Sequence, residues 1–164
     1  MNRRVSKQDI QEEMELSKAT EVLVDECRMI LPGIQTLFGF QLIAVFNSTF
    51  AEKLSPLEQR LHLLAIGLIG MAIVIIMTPA AYHRQTGPQD VSKGFINLAT
   101  RLLLFSMPLL ALSICMELYL ISRIILNNPI LSLLITTAMF AFFVLLWFAL
   151  PRVQVLQRIL GGKG

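Results

Sequence analysis

One acid stands well inside an apolar run of this chain: Glu117, set between Cys115-Met116 and Leu118-Tyr119. An ionised carboxylate in hydrocarbon costs about 2.5–3.5 kcal/mol at mid-membrane, so Glu117 needs a proton or a partner. Ser106 and Ser113 precede it by eleven and four residues, which places all three along one helical stripe, expected to face protein. Arg123 lies six residues further on, a rotation of about 600°, and so does not share the Glu117 face. The partner is expected from another helix or another subunit. Two readings stand: a proton or ion path through Glu117, or a structural contact, for which its position in the outer third of its span is the argument.

Two other groups carry polar chemistry. Gln35, Thr36, Gln41 and Asn47 follow one another in the first apolar run, where an interhelical amide bond is worth about 0.6 kcal/mol and mainly chooses the facing helix. Gln41 is nearest mid-membrane. Glu117, Gln41, Gln35 and Ser113 are therefore the candidate intramembrane polar or ion-path residues. Thr78-Pro-Ala-Ala-Tyr-His-Arg84 ends the second run and gathers an interfacial tyrosine, a titratable imidazole and a phosphate-seeking guanidinium. No second His, Cys or carboxylate stands at ligand spacing beside His83, so no metal site is expected, and no cofactor. Cys27 and Cys115 suit neither a disulfide framework nor a metal. Without a Ser/His, paired-Asp or His/Glu set, the chain is not expected to be an enzyme.

The elements that must position these residues are four stretches long enough to cross a bilayer, near residues 30–50, 61–81, 102–122 and 129–150. About 20 helical residues at 1.5 Å each cross a core of about 30 Å. Hydrophobic residues make 55% of the 164 and charged residues 15%, against about 25% charged in a soluble domain, so a soluble core is not expected. The excess of +3 charge is spread over the ends and the central loop, which does not point to nucleic acid. Glu12, Glu13 and Glu15 follow Arg3, Arg4 and Lys7 where a signal peptide requires an apolar segment, so the first span is expected to be retained.

Short connections make each pair of spans an antiparallel hairpin. Ser55-Pro56 and Asn128-Pro129 each put a capping residue before a proline at the first helical position. Pro32 and Pro108 lie early in spans one and three, Pro79 and Pro151 at the inner ends of spans two and four, a recurrence that fits either a duplicated hairpin or prolines marking helix starts and ends. Eleven Lys and Arg fall on the side of the termini and the 82–101 connection, while only Lys53, Arg60 and Arg123 fall on the other. The positive-inside rule then puts both termini in the cytoplasm.

Residues 6–30 predict a further helix, capped by Ser6 with Asp9. Leu16, Ala19, Leu23, Cys27 and Ile30 form its apolar face, and Glu12, Glu13, Glu15, Glu21, Asp25 and Glu26 its acidic one. That face lacks the Lys and Arg of a lipid-held helix, which favours packing on its own copies or on a cytoplasmic partner, the alternative being a solvated amphipathic helix lying on the bundle. Val153, Leu156, Ile159 and Leu160 interleave with Arg152, Gln154, Gln157 and Arg158 in a short interfacial tail. The expected fold is all-α and polytopic: a cytoplasmic acidic helix over 1–29, a four-helix transmembrane domain over 30–150, and an amphipathic tail over 151–164.

Leu31-Pro-Gly-Ile-Gln-Thr-Leu-Phe-Gly-Phe-Gln-Leu42, Thr78-Pro-Ala-Ala-Tyr-His-Arg84 and Ala99-Thr-Arg-Leu102 resemble a bacterial family of four-span membrane proteins known only as a domain of unknown function. The resemblance covers roughly residues 25–121. It implies an architecture and a set of motif positions: Pro32, Gly33, Gln35, Pro79, Tyr82, His83, Arg84 and Arg101. Of these, Pro32, Gly33, Tyr82, His83, Arg84 and Arg101 are expected to cluster at the cytoplasmic boundary. Some members resemble sodium:proton antiporters in label only, since antiporters of that kind are much longer and use broken helices in inverted repeats. The expected protein is a non-enzymatic, self-associating or accessory subunit of a membrane complex in a bacterial cytoplasmic membrane, with the lipid bilayer and further copies or subunits as partners. The alternative is a small oligomeric proton or cation channel or transporter.

Overall fold

The computed structural model describes residues 7–86 and 93–152, and every described element is helical. Helix α1 spans Lys7–Ala44, α2 Ser48–Lys53, α3 Pro56–Thr86, α4 Lys93–Leu126 and α5 Pro129–Val144. A π-helical turn, Leu145–Ala149, and a 3-10 turn, Leu150–Arg152, follow α5. Four segments are long and apolar enough to cross a membrane: Met14–Ala44, Pro56–Gln85, Lys93–Leu126 and Pro129–Arg152. The first has the lowest mean hydropathy, 1.2, as its polar side chains require.

Helix ends follow local chemistry. Ser55 and Glu58 form a reciprocal capping box: the Ser55 amide and hydroxyl both donate to Glu58 Oε2 at 2.8 Å, and the Glu58 amide donates back to Ser55 Oγ at 3.4 Å. Asn128 Oδ1 accepts from the amides of Ile130 and Leu131 at 3.0 and 3.2 Å, with Pro129 at the first helical position. Just before it, Asn127 takes a left-handed conformation, φ 49°, and its amide closes the end of α4 on the Arg123 carbonyl at 3.1 Å. Asparagine tolerates that geometry better than a bulkier residue would, so two adjacent asparagines end one helix and start the next.

Several boundaries differ from expectation. Helix α1 stops at Ala44, six residues before Phe50, because Asn47 and Ser48 favour a turn; Asn47 therefore stands outside the helix, its carbonyl accepting the Phe50 amide. Pro32, Pro79 and Pro108 lie inside continuous helices rather than at their ends. Prolines are tolerated within membrane helices where neighbouring groups and local adjustment satisfy the freed carbonyls. Helix α1 also runs unbroken through position 30, so no loop separates the acidic segment from the first span. The Ser6 cap, the 87–92 connection and the tail beyond Arg152 lie outside the described residues.

The chain forms two compact units. The first comprises Met1–Ala44 and Gly67–Leu110, the second Val45–Ile66 and Ala111–Gly164. In the first, Leu23, Cys27 and Ile34 of α1 pack with Ile69, Ala72, Ile76, Ala99 and Leu110 of α3 and α4. The buried stripe of α1 also takes in Thr20 and Val24, while Ala19 and Ile30 are exposed. Of the apolar face of the acidic segment, Leu23 and Cys27 are thus covered by its own chain. A Cβ built on Gly70 would stand 4.0 Å from the Phe38 ring, whereas one on Gly67 would meet open space. In the second unit, Leu54 and Ala65 are buried with Ala111, Cys115 and Leu120.

Candidate functional site

Within the second unit three polar links join α3 to α4. The α3 positions are 58, 62 and 65, a spacing that keeps them on one helical face. Arg123 Nε donates to Glu58 Oε1 at 3.2 Å, so one carboxylate holds the α3 cap with one oxygen and the α4 guanidinium with the other. His62 Nδ1 lies 2.8 Å from Glu117 Oε1. The Ser113 hydroxyl donates to the Ala65 carbonyl at 2.8 Å, where the small Ala65 side chain, fully buried, lets α4 come close.

Burial rises along this ladder. Both partners of the Glu58–Arg123 contact keep some exposure, His62 keeps 3%, and Ser113 keeps none. The Phe50 ring covers one side of the imidazole, centroids 4.9 Å apart and planes 60° to each other. A buried imidazole bonded to a carboxylate can share one proton with it or hold a full ion pair, and either arrangement answers the cost of an acid at this depth. The partner of Glu117 comes, as expected, from another helix, and Arg123 turns elsewhere.

Ser106, Ser113 and Glu117 all turn away from the surface on α4, so the polar seam does face protein. The Ser106 hydroxyl closes on the Leu103 carbonyl at 2.7 Å. Gln35 and Gln41 belong to the first unit, Gln41 buried and Gln35 exposed, whereas Ser113 and Glu117 belong to the second. His62 escaped the sequence reading altogether. Its signal was a second titratable residue inside an apolar run, at a similar distance from the outer turns as Glu117.

The boundary cluster is only partly assembled. Tyr82 stacks on Phe95 of α4, centroids 5.5 Å apart at 18°, and His83 tilts against the same ring at 6.1 Å. His83 and Arg84 line a cleft with Arg28 of α1. Pro32, Gly33 and Arg101 are exposed and do not line it. Phe95 and Arg28 are the members that motif reasoning left out.

Four membrane-length helices, tied in part by polar contacts between helices, define a multi-pass helical membrane protein. Residues 11–151 match the DUF6328 family, a family of unknown function, and the chain belongs to it. No curated protein and no solved structure matches the chain.

Proposed function

We propose that this chain is a non-enzymatic subunit of a membrane assembly, joining further copies of itself or an accessory partner, in a bacterial cytoplasmic membrane with both termini inside. One observation carries the reading: among the 16 residues of α5 only Ser132 is buried, so most of the surface of this helix is left uncovered by its own chain. Ile130, Leu133 and Leu134 are exposed at 71, 58 and 62%. Two of its hydroxyls are spent locally, Ser132 on the Asn128 carbonyl and Thr137 on the Leu133 carbonyl, both at 2.8 Å, while the buried Thr136 hydroxyl has no hydrogen-bond partner among the described residues. What α5 presents outward is an apolar surface that lipid or another transmembrane helix can cover. The orientation rests on the distribution of Lys and Arg.

A conducting role finds less support, because a path requires polar groups lining the membrane depth, and here Glu117, Ser113 and Ser106 are each bonded within the protein. The specific feature favouring that second reading is the proton-sharing capacity of His62 with Glu117. Cross-linking in cells and copurification in mild detergent are expected to recover an assembly larger than one chain. A strict monomer with no cross-linked product overturns the assembly reading, and proton or cation flux in proteoliposomes that Glu117→Gln abolishes establishes the alternative.

A further inference from the structure

A cleft of about 390 Å³ lies between α1 and α3 in the first unit, and its lining changes character where both helices leave their apolar runs. On α3, Ile76 and Met77 form the apolar part, and His83 and Arg84 follow about two turns on. On α1, Arg28 precedes Leu31 in the same sense, charged residue first and apolar residue one turn deeper. An adjoining chamber of about 360 Å³ shares Arg28 and His83 with this cleft and adds Glu21 and Asp25, one turn apart on α1. Arg28 and His83 thus line both hollows at the mouth of an oily groove, with Arg84 in the cleft and Glu21 and Asp25 in the chamber. The Arg28–Asp25 contact is long, 3.4 Å, and both side chains are more than half exposed, so it yields readily to a better partner.

We propose that this cleft seats a phospholipid with a primary-ammonium head group, of the phosphatidylethanolamine kind. Its phosphate lies between Arg28 and Arg84, its ammonium between Glu21 and Asp25, and its acyl chain along Leu31, Ile76 and Met77. The charge balance selects this occupant. A net-anionic head group would set unpaired negative charge beside two carboxylates, and a quaternary ammonium has no N–H to donate to them. A zwitterion with three ammonium protons satisfies both halves, and the order of charged and apolar lining matches that of a lipid at the membrane boundary.

The test uses the full chain, delipidated in mild detergent and titrated with phosphatidylethanolamine, phosphatidylcholine and phosphatidylglycerol of identical acyl chains, with bound lipid read by native mass spectrometry. Phosphatidylethanolamine is expected to bind about tenfold more tightly than either of the others, the worth of one charge-assisted hydrogen bond. Arg28→Gln with Arg84→Gln is expected to remove that binding. Glu21→Gln with Asp25→Asn is expected to raise phosphatidylglycerol to the level of phosphatidylethanolamine or above. All four side chains are exposed, so these variants are expected to keep the helical content of the native chain by circular dichroism. Equal binding of the three lipids, a native preference for phosphatidylglycerol, no lipid retained, or a carboxylate variant with unchanged preference each overturns the proposal.

Discussion

The two histidines of this chain show how differently its two units treat polar chemistry. His62, in the second unit, is 3% exposed and its Nδ1 lies 2.8 Å from a carboxylate, under the Phe50 ring. His83, in the first, is half-buried, rests 6.1 Å from the Phe95 ring, and stands among arginines and carboxylates that remain open to solvent. Around His62 polar groups are consumed in holding two helices together; around His83 the charged groups stay open to solvent. Residue type is the same in both, so what separates scaffold from site is the partner and the degree of burial.

Removing His62 should therefore do the most harm. His62→Ala strips Glu117 of its partner and empties the space beneath Phe50, an expected loss on the order of 3 kcal/mol. His83→Ala gives up only a partly exposed ring contact, at about 0.5 kcal/mol or slightly more. Thermal unfolding of the purified variants in one detergent measures both, and equal losses would erase the contrast between the units.

The helix starts rank next. Asn128→Ala deprives two amides of their acceptor and is expected to cost about 1 kcal/mol, frayed first at the start of α5. Ser55→Ala should cost a similar amount and also loosen Glu58, weakening its hold on Arg123. Hydrogen exchange at the first turns of α3 and α5 checks both, and unchanged protection there would show the caps to be dispensable. The smallest effect belongs to Ser113→Ala, about 0.6 kcal/mol, as interhelical hydrogen bonds in membranes typically yield. A larger loss would mean that Ser113 sets the closeness of α3 and α4 rather than merely decorating it.

Much of this fold could be read along the chain. Ser55-Pro56 and Asn128-Pro129 mark helix starts because a side-chain acceptor followed by a residue with no amide proton is a local solution to the unpaired amides of a first turn. The three interior prolines misled for a related reason: proline reads as a boundary in water, whereas long membrane helices carry Pro32, Pro79 and Pro108 through. The acidic segment could be read as a helix, but its face was rotated, with Thr20 and Val24 buried in place of Ala19 and Ile30. A polar threonine passes as surface in a hydrophobic pattern, yet its hydroxyl closes on the Leu16 carbonyl at 3.0 Å and so can be buried cheaply.

The sequence by itself determined that four helices of membrane length follow one another and where two of them begin, because backbone groups in oil can be satisfied only within a helix and caps act over a few residues. Only the tertiary structure decided that Glu117 meets His62, that Arg123 meets Glu58, and that Arg28 shares a cleft with His83 and Arg84. Those meetings depend on how each helix is turned about its own axis. A segment apolar on nearly every side can be turned many ways at little cost, and contacts between distant residues settle which way it faces.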